Sequence, residues 1–152
     1  MEWQPDAGYS VVAGTESPFP NGIEVSPDVS VIYLNTYLGH DHRAIERATG
    51  KRIFTVEIEM PDNMTWASDG RLLIASKPES LSESLTCSQL EAGSCAVPFQ
   101  IIAVDPKTGT SEVLVSADGT PMGLGTVGLQ VGHDLWIGTW AGDRIARVSL
   151  ED

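Results

Sequence analysis

Oxygen-bearing side chains head two short strand candidates that lie in similar sequence surroundings. Asn21 comes directly before the first of these strands, and Asp62 and Asn63 come directly before the second. Amide and carboxylate oxygens are hard donors, which suit Ca²⁺ with its roughly 6–8 oxygen ligands. Because the two stretches take equivalent places in a repeat, we expect Asn21 and Asp62 to point to the same place. Asn and Asp are also ordinary turn residues, so a structural role is the alternative.

The chain repeats a pattern of short antiparallel strands joined by turns. Asn21 and Asn63 lie 42 positions apart, and Tyr33 and Leu73, both in apolar strand candidates, lie 40 apart. Repeats of about 40–50 residues with four strands each are the sequence signature of a β-propeller. The sequence therefore predicts an all-β chain made of four-stranded antiparallel blades.

The predicted blades form a single partial propeller domain. Residues 1–20 hold a strand at 9–13, interpreted as the outer strand of a preceding blade, followed by a link. Since propellers close with about 4–8 blades, three blades cannot form a ring. We therefore expect about half of a six-bladed propeller, completed by an absent N-terminal half or by a homodimer. The predicted blades occupy residues 21–60, residues 61–118 with a polar insertion at 77–98, and residues 119–152, where the fourth strand is missing.

Composition and motifs exclude several classes of function. The 152-residue chain has a net charge of −12, which repels a phosphate backbone, so no nucleic acid partner is expected. No apolar run reaches the roughly 18 residues that a membrane span needs. The sequence also lacks a Gly-x-Ser-x-Gly elbow, a phosphate-binding loop and a His-Glu-x-x-His motif.

Four short motifs carry a resemblance to a known family. They are Asn-Gly-Ile at 21–23, Ser-Pro-Asp at 26–28, Pro-Asp-Asn at 61–63 and Asp-Gly-Arg-Leu at 69–72. In this order and spacing the sequence resembles the C-terminal half of the calcium-dependent paraoxonase/arylesterase family. That family is grouped with the senescence-marker-protein/gluconolactonase and strictosidine-synthase-like six-bladed propellers.

The resemblance implies a metal site and an activity. By position, Asn21, Asp62 and Asn63 match calcium ligands of the family, and Asn63 favours the paraoxonase branch because the gluconolactonase branch has glycine there. The resemblance further implies hydrolysis of a small lactone or aryl ester, with Asp62 also among the catalytic residues. The family's remaining ligands and its histidine pair would lie in the absent half. The alternative is a non-catalytic propeller fragment or interaction module.

Two loops are expected to overhang the site, because the second strand of each blade ends where the first begins. They are residues 37–42 and the insertion at 77–98. His40 and His42 are candidates for a general base or a substrate contact, and a solvated polar loop is the alternative. His40 is preferred, because the family often carries a histidine close to this place. The insertion would be a lid or specificity wall, or else a decoration.

The insertion contains Cys87 and Cys95, eight positions apart. A local disulfide would favour the periplasm or the extracellular space, whereas two reduced thiols would favour the cytoplasm. Tryptophans give the remaining expectations: Trp136 lies at an apolar strand position and is expected in the core, and Trp140 faces either the pocket or solvent.

Overall fold

The structure is a computed structural model, and it describes residues 1–78 and 81–150. Strands dominate the described residues. They are β1 (Glu2–Gln4), β2 (Gly8–Ser10), β3 (Pro20–Val25), β4 (Val31–Thr36), β5 (Asp41–Glu46), β6 (Arg52–Glu57), β7 (Pro61–Trp66), β8 (Leu72–Ser76), β9 (Phe99–Val104), β10 (Ser111–Ala117), β11 (Gly125–Val131), β12 (Asp134–Thr139) and β13 (Ala146–Ser149). The helical segments are α1 (Leu81–Thr86) and the 3₁₀ turns Tyr37–Gly39 and Cys87–Gln89. Positions 79–80 of the predicted insertion and 151–152 of the predicted last blade lie outside the described residues.

The strands form three successive blades. Blade 1 has the order β3-β4-β5-β6, blade 2 has the order β7-β8-β9-β10, and blade 3 has the order β11-β12-β13. Every neighbouring pair within them is antiparallel. The prediction of an all-β chain with four-stranded antiparallel blades is confirmed. Two full blades and one of three strands make about half of a propeller.

The N-terminal segment forms a small sheet of its own. The strand expected at 9–13 corresponds to β2, which pairs with β1 in a two-stranded antiparallel sheet. Its place on a preceding blade stays a prediction. The amide of Ala7 donates a 3.3 Å hydrogen bond to the carbonyl of Gln4 and closes the turn between them. Glu2 forms an ion pair with Arg47, which lies in the β5–β6 turn. This ion pair thus attaches the hairpin to the β5–β6 turn of blade 1.

Alternation of side chains along the second strand of each blade builds two cores. In β8, Leu72 and Ile74 face blade 1, while Leu73 and Ala75 face blade 3, and all four are buried. Burying a leucine or isoleucine side chain contributes about 1.5–3 kcal/mol. The blade 1–2 core also contains Tyr33, Ala44, Ile58, Met64, Ile102 and Val104, and the blade 2–3 core also contains Phe99, Ile101, Ala103, Met122, Leu135 and Ile137.

The first strands of the blades lie side by side, so β3 contacts β7 and β7 contacts β11. Thr65 of β7, for example, donates a 2.6 Å hydrogen bond from Oγ1 to the carbonyl of Gly128 in β11. Residues near the starts of these strands therefore meet at one end of the structure. None of the described helical segments is long and apolar enough to be a transmembrane helix.

Candidate functional site

Each first strand carries a one-residue bulge close to its start. The pairing with the second strand shifts between Pro20 and Ile23, between Pro61 and Met64, and between Gly125 and Val127. The bulges contain Asn21, Asp62 and Thr126, each the second residue of its strand. A bulge adds a residue to one strand and redirects a side chain, and bulges are common beside active sites. Three equivalent side chains are thus presented at the same end of neighbouring blades.

These side chains line one cavity of about 320 Å³. Asn21, Asp62 and Asn63, the three predicted ligands, all belong to its wall. The wall also contains Phe19, Tyr37, Lys77, Leu81, Ser84, Leu85, Thr126 and Trp140. The structure therefore brings together the residues that the sequence places 41 and 42 positions apart. Whether they bind a metal stays a prediction.

A second set of equivalent residues completes the wall. Tyr37, Lys77 and Trp140 are each the first residue after the second strand of a blade. Because neighbouring strands are antiparallel, second strands end where first strands begin, so these residues stand beside the bulges. Trp140 lines the cavity, which is the pocket position considered for it from the sequence.

Lys77 forms a buried ion pair with Asp62. Its Nζ contacts Asp62 Oδ2, and the two residues are 1% and 7% exposed. The same Nζ lies 4.9 Å from the centre of the Tyr37 ring, within the range of a cation–π contact. Burial lowers the pKa of Lys77, and the negative charge of Asp62 opposes that shift. Burial also raises the pKa of the Tyr37 hydroxyl, and the charge of Asp62 adds to the effect.

The two asparagines leave oxygen atoms available. Asn63 uses its Nδ2 twice, at 3.0 Å from the carbonyl of Thr126 and at 3.2 Å from Asp62 Oδ1. Its Oδ1 is therefore left as the acceptor of the amide. The half-buried Asn21 makes no side-chain hydrogen bond to any described residue.

A buried network supports the second bulge from blade 1. Asn35 donates a hydrogen bond from Nδ2 to the backbone carbonyl of Asp62, and its Oδ1 lies 2.8 Å from His42 Nδ1. His42 is fully buried, and burial lowers its pKa to about 4 against a weaker opposing effect of Asp41. Its Nε2 has no hydrogen-bond partner among the described residues. His42 lies outside the cavity wall and contacts it only through Asn35.

His40 also lies outside the cavity wall. Its ring is half exposed, and Nδ1 lies 2.8 Å from Oε2 of Glu59. It follows the 3₁₀ turn Tyr37–Gly39 with a φ of 53°, a left-handed conformation. A role of His40 in proton transfer stays a prediction.

The insertion reaches over the cavity, as the strand directions predict. Leu81 and Leu85 of α1 form part of the wall. Cys87 and Cys95 form a disulfide with their Cα atoms 5.8 Å apart, which answers the question of paired or reduced thiols. Both cysteines pack with Leu124 and Ala141, which flank the first two strands of blade 3. The insertion is therefore anchored to the next blade as well as to its own.

The donor chemistry of the wall fits calcium, although the number of donors is small. Asn21, Asp62 and Asn63 offer two amide oxygens and one carboxylate, against the roughly 6–8 oxygens that Ca²⁺ takes. Within residues 1–78 and 81–150, no group of three or more His, Cys, Asp or Glu side chains is placed to hold a metal ion. Remaining ligands would have to come from water, substrate or other protein segments.

Similarity to known proteins was found among solved structures. No protein-family model matches the sequence. No curated protein matches it either. Among solved structures, the chain is similar to a calcium-binding protein, regucalcin from Agrobacterium tumefaciens, with 15% identity and a TM-score of 0.39. The likeness covers 93% of this chain and 57% of that one, so the chain spans little more than half of that protein's length.

The sequence placed Lys77 in the overhanging insertion at 77–98 but gave it no role in the site, and it assigned no role to Phe19 or Thr126. The available signal for Lys77 was positional: it is the first residue after the second strand of its blade, as Tyr37 is in the blade before it. The ion pair with Asp62 joins residues 15 positions apart, across the β7–β8 hairpin and its bulge.

Proposed function

We propose that this chain is part of a calcium-dependent hydrolase of lactones or aryl esters, of the paraoxonase and gluconolactonase kind. The observation that carries the proposal is the convergence of Asn21, Asp62 and Asn63 on one cavity. A volume of about 320 Å³ suits a small ester or lactone, since ligand pockets start at roughly 300 Å³. Asn63 is the residue that favours the paraoxonase branch, by resemblance.

Asn21, Asp62 and Asn63 would hold the calcium ion. When bound, calcium supplies a Lewis acid that polarises a carbonyl oxygen of the substrate. The chain's own residues would orient the substrate. Trp140 and Leu85 offer an apolar wall to an aryl or alkyl group, because both line the cavity and both are largely exposed toward it or toward solvent.

The test uses the full chain, titrated with calcium chloride and assayed with phenyl acetate and with a simple lactone. We expect calcium binding and calcium-dependent hydrolysis, and we expect Asp62→Asn to abolish both. Asp6→Asn is the matched control, because Asp6 is exposed in the N-terminal hairpin and this substitution removes the same negative charge as Asp62→Asn. A chain that binds no calcium, or hydrolyses equally well as Asp62→Asn, would contradict the proposal.

A second candidate is a non-catalytic interaction module, and the exposure of Trp136 favours it. Trp136 lies three residues before the end of β12, as Tyr33 and Leu73 do in β4 and β8. Tyr33 and Leu73 are 4% and 1% exposed because the next blade covers them, whereas Trp136 is 37% exposed. The core position expected for Trp136 is therefore wrong for this chain: its face of blade 3 is open.

The opposite face of blade 1 is also apolar, and the N-terminal segment covers only part of it. Ile23 and Val25 of β3 are exposed there, on the side away from blade 2. Blade 1 and blade 3 thus offer the two complementary faces that meet in each blade–blade contact within the chain. We propose that a second copy of this chain covers them, blade 3 of one packing on blade 1 of the other. Enlarging the buried apolar surface would stabilise such a homodimer.

A further inference from the structure

The carboxylate of Asp62 is already neutralised by a cation of the chain itself. Lys77 Nζ contacts Asp62 Oδ2 and lies 4.9 Å from the ring centre of Tyr37. Lys77 is 1% exposed, so water contributes little to stabilising its charge. The ammonium group is therefore held by one carboxylate and one aromatic face, the two kinds of group that stabilise a buried cation.

Asp62 is the one carboxylate in the described wall of the cavity. A metal ion held by Asn21, Asp62 and Asn63 would come close to the same carboxylate that Lys77 occupies. A divalent ion and an ammonium group repel each other, and the repulsion is strong where solvent is excluded. Binding of the metal would thus require Lys77 to move away from Asp62 or to remain beside it at a large electrostatic cost.

We infer that Lys77 is an internal competitor for Asp62 and sets the calcium affinity of the cavity. The inference rests on the proposed calcium site, and it deepens that proposal by naming what regulates the site. When Lys77 pairs with Asp62, the two charges of the described cavity wall cancel, and the Asp62 carboxylate has a partner without a metal ion. With Lys77 displaced, the wall offers one free carboxylate and two amide oxygens to the ion.

The experiment compares calcium affinities by isothermal titration of the full chain after treatment with a chelator. Lys77→Gln removes the charge and keeps a donor for Asp62, so we expect its calcium affinity to rise roughly tenfold or more. Lys77→Arg keeps the positive charge beside Asp62, so we expect no comparable gain in calcium affinity. Lys51→Gln, at an exposed turn residue, controls for the change in net charge. Asp62→Asn combined with Lys77→Gln is expected to lose the gain.

The outcomes separate this inference from the proposed function. Equal calcium affinity of the wild-type chain and Lys77→Gln would overturn the competition and leave the calcium site standing. No calcium binding by either chain would overturn both. Lys77→Met, whose apolar chain can pack on Tyr37, is measured in parallel and is expected to show the same gain. Its agreement with Lys77→Gln guards against a folding defect in one variant.

Discussion

The side-chain amide of Asn35 donates a 2.6 Å hydrogen bond to the backbone carbonyl of Asp62. The bond joins the second strand of blade 1 to the bulge of blade 2, so a residue of one blade fixes a candidate ligand of the next. The close approach of the two first strands also explains why position 22 is a glycine, because a Cβ there would lie 2.4 Å from the Asp62 carbonyl oxygen. A side chain at position 22 would push the two first strands apart.

Replacing Asn35 by alanine should destabilise the chain by about 1–3 kcal/mol, because a buried carbonyl and a buried imidazole both lose their partner. Urea unfolding measures the free energy. Asn21→Ala is the matched control, since Asn21 is half-buried and its side chain has no hydrogen bond among the described residues. We expect its effect to stay below about 0.5 kcal/mol. Equal effects of the two variants would argue against the network.

His42 should make the stability depend on pH. Burial lowers its pKa in the folded chain from 6.5 to about 4, so the unfolded chain binds the additional proton between these values. Stability is therefore complete above about pH 6.5 and is lost as the pH falls toward 4. The difference corresponds to about 3 kcal/mol.

His42→Gln should remove this contribution to the pH dependence of the unfolding free energy, measured with urea between pH 7 and pH 4. His133→Gln is the control, because His133 is exposed in a turn. Carboxylates titrate in part of the same range, but they are common to all three chains. An unchanged slope in His42→Gln would show that His42 is not the group responsible.

Loss of the disulfide should loosen the insertion over the cavity. Replacing both Cys87 and Cys95 by alanine opens a loop with a sequence separation of 8, which should cost about 2–3 kcal/mol. Hydrogen exchange should quicken in residues 81–98 and stay slow in the blade strands. A reducing agent should reproduce the effect in the wild-type chain and leave the variant unaffected. Exchange that quickens equally in β8 and β9 would contradict a local effect.

We propose that the chain works in an oxidising compartment, the periplasm or the extracellular space, where this bond persists.

A charge on the open face of blade 3 should block association. Leu129 lies opposite Trp136 in the pairing of β11 with β12 and is 49% exposed. Leu129→Asp should shift the chain to a monomer in light-scattering measurements over a range of concentrations. Val113→Asp is the matched control, since Val113 is 50% exposed and lies on β10, the outer strand of the central blade 2. A wild-type chain that is monomeric at every concentration would rule out the homodimer.

The positions of the strands could be predicted from local sequence. The predicted four-stranded antiparallel blades match the orders β3-β4-β5-β6 and β7-β8-β9-β10, because alternation and turn residues are local signals. The repeat also placed Asn21 and Asp62 correctly at equivalent positions. For the strand at 9–13 the structure adds its partner β1, and its place on a preceding blade stays a prediction.

Trp136 shows where local reasoning fails. The alternation of side chains along β12 correctly places Trp136 on the opposite face from Leu135 and Ile137, which are buried against blade 2. Whether the opposite face is covered depends on another blade, and no signal within β12 carries that information.

The sequence by itself determined the strands, their turns, the blade repeat and the candidate ligands Asn21, Asp62 and Asn63. Only the tertiary structure decided that Lys77 occupies the Asp62 carboxylate and that His42 is buried behind Asn35 instead of facing the cavity. The physical reason is that strand formation follows from neighbouring residues, whereas burial and the pairing of charges depend on groups that the fold brings together from other strands.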